Sequence, residues 1–351
     1  MSARLAINGF GRIGRQILRH VLASGLDIEP VAINAPSGTP ATLAHLFTYD
    51  STFGRWPGPV HATASAIVVG EHVIRVTAER DPARLPWGAL GVDVVAEASG
   101  AFTRARDALA HRHAGARTVI ITAPAEGEDI TIVMGVNEDR FDPERHTIIS
   151  GASCTTNCLA PLIRVLHERF GVRGGLVTAI HAYTRDQELL DGMHDDLRRA
   201  RSAGQNLIPT ETGAARALAK VLPSIGASIV GLAVRVPVPD VSVIDLDVVT
   251  DAPAPVQAIN EAFRDAAASP RLRGILGVCD EPLVSSDFRG DARSCIVDAA
   301  STRAAGDHHV KVIAWYDNEW GYAARMVDLI ALASGPTSKA PAVSAAGARS
   351  L

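Results

Sequence analysis

The stretch that decides the fold is NGFGRIG at residues 8–14, which contains the pattern GxGxxG. It directly follows an apolar run at residues 5–8 that predicts a buried strand, and it opens a run that predicts an amphipathic helix at residues 13–23. Gly9 permits the tight turn, Gly11 lets the backbone approach a pyrophosphate, and Gly14 lets helix and strand pack closely. A glycine-rich turn without a ligand is the alternative, but the strand-turn-helix setting favours a dinucleotide site.

The second strand bears on which dinucleotide binds. An acidic residue about 20 positions after the glycines usually grips the ribose 2′-hydroxyl of NAD. Here the strand ends Val31-Ala32-Ile33-Asn34-Ala35, without a carboxylate that would repel a 2′-phosphate, and the small polar residues Ser37 and Thr39 follow. We therefore expect NADP to be preferred, with NAD as the alternative if another group compensates for Ala35.

Further apolar runs extend this first half of the chain. They predict strands at residues 30–34, 92–97 and 118–122, a helix at 104–113 and a small hairpin at 63–77. Buried strands that alternate with helices are typical of a parallel α/β sheet. The first domain is therefore expected to be a Rossmann-like α/β domain spanning residues 1–153.

Beyond residue 150 long β-rich segments dominate. The pattern predicts a turn at 151–157, helices at 159–170, 213–221, 255–267 and 320–334, and strands at 175–182, 229–236, 241–249 and 309–316. We expect an α+β catalytic domain with a large mixed sheet at residues 154–318, and a C-terminal helix at 319–334 that packs back on the first domain. The charged stretch 184–209 is expected to be a functional loop, and the tail 335–351 to be disordered.

Composition narrows the class of protein. A chain of 351 residues exceeds what one hydrophobic core usually fills, so two domains are expected. The formal net charge of −4 gives no electrostatic basis for nucleic acid or an anionic membrane as a partner. We expect no membrane span, no signal peptide and, with only four scattered cysteines, a cytoplasmic location.

Cys154 is the candidate nucleophile. It lies in the stretch Ser153-Cys154-Thr155-Thr156-Asn157-Cys158, at the junction of the two sequence patterns and near the start of a predicted helix. The positive end of a helix dipole favours a thiolate. His181, at the end of the predicted strand 175–182, is a candidate partner that would stabilise the thiolate as an imidazolium and shuttle protons.

Other interpretations of the cysteines are weaker. Cys154 and Cys158 could be half of a metal site, but no second half with zinc spacing follows, so we expect no metal. Cys158, Cys279 and Cys295 are most simply core residues.

Three separated motifs carry a resemblance that extends along nearly the whole chain. NGFGRIGR near the start, SCTTNC in the middle and WYDNEWGY near the end resemble the phosphorylating glyceraldehyde-3-phosphate dehydrogenase family. The stretches VAINA, ITIVMGVNED and RVPVPDVSVIDL look most like its bacterial NADP-preferring branch, which is associated with gluconeogenesis.

The resemblance implies a reaction through a thioester. Cys154 would attack the aldehyde carbon of glyceraldehyde 3-phosphate, and His181 would take the hydroxyl proton of the hemithioacetal as hydride leaves. Inorganic phosphate would then cleave the thioester to give 1,3-bisphosphoglycerate. The family also implies a homotetramer in which the long loop lies at a subunit contact.

The resemblance also assigns site residues. The cofactor would be bound by Gly9, Gly11, Arg12, Ile13, Gly14, Asn34, Ala35, Arg80, Ser99, Gly100, Thr122 and Asn318, the last of which would hold the carboxamide. Substrate phosphate would be held by Thr184, Asp186 and Arg235, and attacking phosphate by Ser153, Arg199, Thr212 and Gly213, with Thr155 also among the phosphate-site residues. Arginine forks and helix-start N–H groups suit these oxyanions.

Departures from the family pattern are few. Ala35 replaces the common Asp, and Gly192-Met193 leaves room in the long loop where NAD-specific relatives often carry a bulky residue and proline. Asp240 replaces the Asn of RVPxPN, with no evident effect.

Three other functions remain open at this stage. An erythrose-4-phosphate dehydrogenase shares the motifs but releases the acid by hydrolysis, and the set Arg199, Thr212 and Gly213 favours phosphate instead. A Cys/His hydrolase would leave the GxGxxG unexplained. A non-catalytic binding role is disfavoured because Cys154 and His181 are both present.

Overall fold

A computed structural model of the chain describes residues 2–335. Its contacts divide it into two compact units. The first contains residues 2–132, 139–152 and 323–335; the second contains 133–138 and 153–322. The predicted tail 335–351 lies outside the described residues apart from Gly335.

The first unit is built on a nine-stranded sheet in the order β10-β11-β9-β8-β1-β2-β7-β6-β5, with β3 and β4 forming a separate pair. The strands are β1 (Ala3–Asn8), β2 (Ile28–Asn34), β3 (Tyr49–Asp50), β4 (Gly54–Arg55), β5 (Val60–Ala62), β6 (Ala66–Val69), β7 (His72–Thr77), β8 (Val94–Glu97), β9 (Thr118–Ile121), β10 (Ile130–Thr131) and β11 (Ile148–Ser150). The helices are α1 (Arg12–Ser24), α2 (Pro40–Thr48) and α3 (Ala105–His113).

The strand order of this sheet reverses at β1. The strand pairs in parallel with β2 on one side and with β8 on the other. In open α/β sheets, ligands bind outside the carboxyl ends of the strands at such a switch point. The stretch that follows β1, residues 8–14, therefore lies where a dinucleotide is expected to bind.

The second unit contains an eight-stranded mixed sheet in the order β13-β14-β12-β15-β19-β17-β16, with β18 paired to β19. Its strands are β12 (Val172–Ala182), β13 (Ile208–Glu211), β14 (Ile229–Val236), β15 (Ser242–Thr250), β16 (Leu276–Cys279), β17 (Cys295–Asp298), β18 (Arg303–Ala305) and β19 (His309–Tyr316). Its helices are α4 (Cys154–Phe170), α5 (Ala214–Val221) and α6 (Val256–Ala268), and α7 (Trp320–Ala333) begins in it.

One face of this sheet is covered by α4, which packs on β12, β15, β17 and β19. On the strands β12 and β14 the other side exposes apolar residues, namely Leu176, Ile180, Val230 and Leu232. Side chains two residues apart on a strand share a face, so these residues form one apolar patch on the sheet.

The predicted fold class is confirmed: the first sheet is parallel except where β6 pairs antiparallel with β5 and β7, and a large mixed sheet follows. The start of α4 is where the prediction was wrong: the helix begins at Cys154 and not at residue 159. The Ser153 hydroxyl accepts a hydrogen bond from the N–H of Thr156 at 3.0 Å, and this cap extends the helix into the predicted turn.

Several short elements were not predicted. They are α2, β3, β4, β5, β10, β11, β13, β16, β17 and β18. Most have too few residues for a recognisable pattern, and β13 begins within the stretch 184–209 that was expected to be loop.

Among residues 2–335, no helix is long and apolar enough to cross a membrane. The same part of the chain contains no group of three or more His, Cys, Asp or Glu side chains that could hold a metal ion.

Candidate active site

The carboxyl ends of four parallel strands bring the predicted cofactor residues of the first unit together. Gly9 follows β1, Ala35 follows β2, Ser99 lies two residues beyond β8, and Thr122 follows β9. Because these strands are neighbours in the sheet, residues far apart in sequence share one edge.

The glycines after β1 fit a bound dinucleotide. Gly9 has a φ of 94°, and a Cβ there would lie 2.5 Å from backbone atoms of Ser99. A Cβ on Gly14 would lie 2.1 Å from the carbonyl oxygen of Gly9, whereas one on Gly11 would meet nothing within 4 Å. Two of the glycines therefore permit close packing, and the third leaves an open approach at the start of α1. That helix has no side-chain cap and no acidic residue in its first turn, which suits a pyrophosphate.

Glu97, which the sequence did not single out, organises the end of β8. Its buried carboxylate accepts hydrogen bonds from Asn8 Nδ2 at 2.5 Å, from the N–H of Ser99 at 2.8 Å, and from the Ser99 hydroxyl. His111 Nε2 lies 2.9 Å from the same carboxylate, while Trp87 donates to His111 Nδ1. This network fixes the turn after β8, where Ser99 and Gly100 are exposed.

Two further predicted cofactor residues, Asn34 and Thr122, use their side chains in hydrogen bonds within the protein. Asn34 is buried, and its side-chain amide donates to Asn8 Oδ1 at 2.7 Å and to the carbonyl of Glu79 at 2.8 Å. The Thr122 hydroxyl donates to the carbonyl of Glu97 at 3.0 Å. Their side chains therefore brace the sheet edge.

Two predicted cofactor arginines lie in different settings. Arg12 forms an ion pair with Asp50 at 2.6 Å, and Arg80 is exposed. Ile13 occupies the first turn of α1 beside Arg12.

In the second unit, Cys154 is the first residue of α4 and is partly exposed. The residue two positions before it, Ala152, has a φ of 55°, a conformation that alanine rarely adopts. A constrained turn and the Ser153 cap thus fix the point at which the thiol enters the helix.

The Sγ atom of Cys154 lies 3.4 Å from Nε2 of His181. Nδ1 of His181 lies 2.7 Å from the carbonyl oxygen of Ala182. Because a carbonyl only accepts, this contact favours the proton on Nδ1, with Nε2 as the acceptor that faces the thiol, whereas an arginine N–H beside Nδ1 favours the other tautomer. Arg235, on β14 beside β12, places Nη1 3.1 Å from the same carbonyl and 2.8 Å from Nδ1. The histidine is therefore held in the orientation of a base.

Burial opposes ionisation of both groups. It raises the pKa of the Cys154 thiol, although the charge of Arg235 and hydrogen bonds from Thr155 act in the other direction. Burial together with Arg235 lowers the pKa of His181 to about 3. The expected thiolate and imidazolium are thus disfavoured in the free chain, and a neutral thiol facing a neutral base is the favoured state.

Two of the predicted phosphate residues, Asp186 and Arg199, form an ion pair through Arg199 Nη1. Arg199 Nε also donates to the Thr210 hydroxyl at 2.9 Å. The charge of Arg199 contributes to the lowered pKa of His181, so this arginine acts within electrostatic range of the catalytic pair. The sequence assigned Asp186 and Arg199 to different anions, whereas the structure joins them directly.

Other phosphate residues lie at turns and helix starts. The Thr184 hydroxyl accepts from the N–H of Asp186 at 3.3 Å. Thr212 and Gly213 precede α5, where the Thr212 hydroxyl accepts from the N–H of Ala214 at 3.2 Å. Thr155 is buried and its hydroxyl lies 2.9 Å from the Tyr316 hydroxyl, so this hydrogen bond helps to hold the site in place.

Asn318 is held by a residue that the sequence did not single out. The Ser242 hydroxyl donates to Asn318 Oδ1 at 2.7 Å and accepts from the N–H of Ala182 at 3.0 Å. The ring of Tyr316 meets that of His181 edge to face at 6.0 Å. Both residues lie inside quoted motifs, Ser242 in RVPVPDVSVIDL and Tyr316 in WYDNEWGY, but only register and packing reveal what they touch.

Comparison with known proteins decides the family. The domain family described as "Glyceraldehyde 3-phosphate dehydrogenase, NAD binding domain" matches residues 3–105, and "Glyceraldehyde 3-phosphate dehydrogenase, C-terminal domain" matches residues 153–318. Glyceraldehyde-3-phosphate dehydrogenase 1 of Streptomyces avermitilis is 52% identical over 332 residues, covering 95% of this chain and 98% of the relative. The chain belongs to the glyceraldehyde-3-phosphate dehydrogenase family.

Other relatives are similar to the same extent. Glyceraldehyde-3-phosphate dehydrogenase 2 of Bacillus subtilis is 51% identical over 94% of this chain and 96% of its own. Glyceraldehyde-3-phosphate dehydrogenase of Geobacillus stearothermophilus is 51% identical over 94% and 98%. The predicted oxidoreductase is confirmed: glyceraldehyde-3-phosphate dehydrogenases oxidise glyceraldehyde 3-phosphate with uptake of phosphate, and this chain is such an enzyme with a nicotinamide-dinucleotide-binding domain.

Proposed function

We propose that Cys154 and His181 carry the chemistry of this oxidation. The observation behind the proposal is the 3.4 Å contact between Sγ of Cys154 and Nε2 of His181, with Nδ1 of the same ring at the Ala182 carbonyl. A nucleophile that touches a base, which a third group orients, is the arrangement that nucleophilic catalysis requires.

The steps follow from these contacts. Sγ bonds to the aldehyde carbon while its proton passes to Nε2 of His181 and on to the carbonyl oxygen, which gives a hemithioacetal. His181 then takes the hydroxyl proton as the carbon loses hydride and becomes a thioester. When bound, the nicotinamide supplies the hydride acceptor. A phosphate oxygen then bonds to the thioester carbon, the C–S bond breaks, Sγ takes back the proton held by His181, and the acyl phosphate is released.

Trapping the acyl group tests this assignment. In the absence of phosphate, wild-type protein should release about one equivalent of reduced cofactor per site and carry an acyl group on the tryptic peptide that contains Cys154. Cys154→Ser should show neither signal, and Cys158→Ser, which changes a buried cysteine of the same helix, is the matched control. A normal burst in Cys154→Ser would contradict the proposal.

We also propose that Arg235 binds the phosphate of the substrate and Arg199 the attacking phosphate. Thr184 and Asp186 would assist the first, and Ser153, Thr212 and Gly213 the second. The remaining N–H groups at the start of α5 and the guanidinium of Arg199 are both favourable to an oxyanion. Asp186 forms an ion pair with Arg199. We therefore infer that phosphate competes with this carboxylate for the guanidinium.

NADP is the cofactor that we propose is preferred. Ala35, the residue that follows β2, has no carboxylate. The next helix, α2, begins at Pro40 with Thr39 as its cap, and its first turn contains no acidic residue. A helix start that lacks acidic residues favours an added 2′-phosphate. The ratio of kcat/KM for NADP and NAD tests this directly, and a ratio below one would contradict it.

A homotetramer is the proposed assembly. The apolar patch on β12 and β14 is exposed in a single chain, and so are Leu189, Leu190 and Met193 of the long loop. Apolar surface of this kind usually lies in a subunit contact. Native mass spectrometry of wild type and of Val230→Asp tests it: the wild type should be tetrameric, and the variant should dissociate.

We retain a cytoplasmic location and the two-domain division as proposals. All four cysteines are free thiols, which suits a reducing compartment. The proposed domains are residues 1–153 and 154–318, with the helix at 319–334 returning to the first.

A further inference from the structure

Two connections lie side by side at one end of the sheet in the second unit. Asp240 and Val241 end the connection from β14 to β15, while residues 317–319 join β19 to α7. The strands β15 and β19 pair antiparallel with Ser242 opposite Tyr316, so the two connections are neighbours. Asp240 and Asp317, one from each connection, are both only 1% exposed.

Burial raises the pKa of Asp317 to about 6, while hydrogen bonds from three backbone N–H groups favour its ionised form. One oxygen accepts from the N–H of Gly290 at 2.8 Å, and the other accepts from the N–H groups of Glu319 at 2.9 Å and Trp320 at 2.6 Å. A carboxylate that accepts several backbone N–H groups is stabilised as the anion.

Asp240 has the opposite environment. Neither of its carboxylate oxygens has a hydrogen-bond donor in the described part of the chain. Burial and the charges of Asp317 and Glu319 raise the pKa of Asp240 to about 9, and the nearby N–H of Val241 opposes this rise without cancelling it. The side chain of Asp240 is within hydrogen-bonding range of that of Asp317. Two carboxylates only accept, so this contact becomes favourable when Asp240 carries a proton and donates it.

Other charged groups lie near the pair. Glu319 is the further acidic group that acts on both carboxyls. On the opposite side, the chain after Gly290 contributes Asp291 and Arg293, which pair with each other at 2.5 Å. A single proton shared by the two buried acids therefore decides the charge of this cluster.

The two acids lie close in sequence to the Ser242–Asn318 hydrogen bond, one in each connection. Val241, between Asp240 and Ser242, has a φ of 66°, which is strained for a β-branched residue. Ser242 donates to Asn318 Oδ1 and accepts from the N–H of Ala182, the residue after His181. Asp317 directly precedes Asn318 in the chain. A displacement of either connection therefore moves the Ser242–Asn318 hydrogen bond.

We propose that Asp240 is a positioning residue: as a neutral acid it donates a hydrogen bond to Asp317, locks the two connections, and thereby makes cofactor use sensitive to alkaline pH. The proposal rests on the proposed role of Asn318 in holding the carboxamide of the cofactor. Asn, which the family pattern has at this position, supplies an N–H donor that does not titrate. Asp240 keeps the donor only while it is protonated.

The first test is a pH profile of cofactor use. In the wild type, KM for NADP should rise about 5-fold or more as pH is raised from about 7 to about 10, because the buried pair then carries two charges. In Asp240→Asn this rise should largely disappear. Glu319→Gln is the graded variant: with one negative charge removed, Asp240 ionises more readily, so the rise should begin at lower pH than in the wild type.

A second readout does not depend on activity. The infrared difference spectrum of wild-type protein between neutral and alkaline pH should show loss of the carbonyl band of a buried carboxylic acid, and Asp240→Asn should lack that change. A wild-type spectrum without such a band, or an alkaline rise in KM that persists in Asp240→Asn, overturns the proposal.

Failure of the proposed role of Asn318 has a different signature. If Asn318→Ala leaves KM for NADP at the wild-type value, Asn318 does not hold the cofactor. The acid pair then no longer explains an alkaline effect on KM, and the proposed link between Asp240 and cofactor use is overturned. The infrared titration of Asp240 would persist in that case, so the two failures are separable.

Discussion

The Sγ atom of Cys154 lies 3.4 Å from Nε2 of His181, at the point where α4 begins and β12 ends. The two residues are 27 positions apart in the chain. Their contact arises because the cap at Ser153 starts the helix at Cys154, and because the neighbouring Arg235 and the Ala182 carbonyl hold the imidazole ring. The arrangement leads to the following expectations.

Replacing His181 removes the base. His181→Asn should lower kcat by roughly 10²- to 10⁴-fold, the usual contribution of a positioned general base, with a much smaller change in KM. Steady-state kinetics at saturating cofactor measure this. The exposed His72, changed to Asn, is the control and should retain wild-type kcat. A loss of less than about 3-fold in His181→Asn would exclude a role in proton transfer.

Ala35→Asp should shift the cofactor preference toward NAD. A carboxylate at the end of β2 would accept from the ribose 2′-hydroxyl and repel a 2′-phosphate, which corresponds to about 1–3 kcal/mol, or roughly 5- to 100-fold in the ratio of kcat/KM values. Ala35→Asn is the matched control, since it has nearly the same size without the charge. An unchanged ratio in Ala35→Asp would show that the ribose is recognised elsewhere.

Arg199→Ala should weaken the response to inorganic phosphate. Loss of a charge-assisted contact predicts a rise in KM for phosphate of roughly 10- to 100-fold, with the acyl burst preserved. Arg198→Ala, which changes the adjacent arginine, serves as the comparison. A wild-type rate that ignores added phosphate would instead support hydrolysis of the thioester.

Ser242→Ala should loosen the hold on Asn318. It removes a donor to Asn318 Oδ1 and an acceptor for the N–H of Ala182, two buried contacts that correspond together to about 1–3 kcal/mol. We expect KM for the cofactor to rise roughly 5- to 100-fold while the alkylation rate of Cys154 by iodoacetamide stays near that of the wild type. A normal KM would place the control of Asn318 elsewhere.

Asp240 should also make folding stability depend on pH. Its pKa is raised in the folded chain, so between its unfolded and folded values the folded state binds the extra proton and stability falls as pH rises. For one proton the slope is at most about 1.4 kcal/mol per pH unit. The difference in Tm between Asp240→Asn and wild type should therefore grow in favour of the variant from about pH 5 to about pH 9. The exposed Asp195, changed to Asn, should show no such trend.

Sequence patterns predicted the long elements best. Clear hydrophobic periods run through the strands β1 and β12 and the helices α1, α6 and α7. The structure has each of these elements within a few residues of its predicted bounds. The start of α4 could not be placed from periodicity, because its first turn, Cys154 to Asn157, is polar and is stabilised by the Ser153 cap. Short strands such as β16 and β17 are held in place by their neighbours in the sheet and have too few residues for a pattern of their own.

The sequence by itself determined the parallel strands of the first sheet, the glycine-rich turn after β1, the candidate nucleophilic cysteine and the absence of an acid at Ala35, because each is a local property of residue type and spacing. Tertiary structure alone decided that His181, among twelve histidines, faces Cys154, that Asp186 pairs with Arg199, and that Ser242 donates a hydrogen bond to Asn318. These contacts join residues that only the strand register brings together. The burial that shifts the pKa values of Cys154, His181 and Asp240 likewise exists only once the sheet and helices have packed.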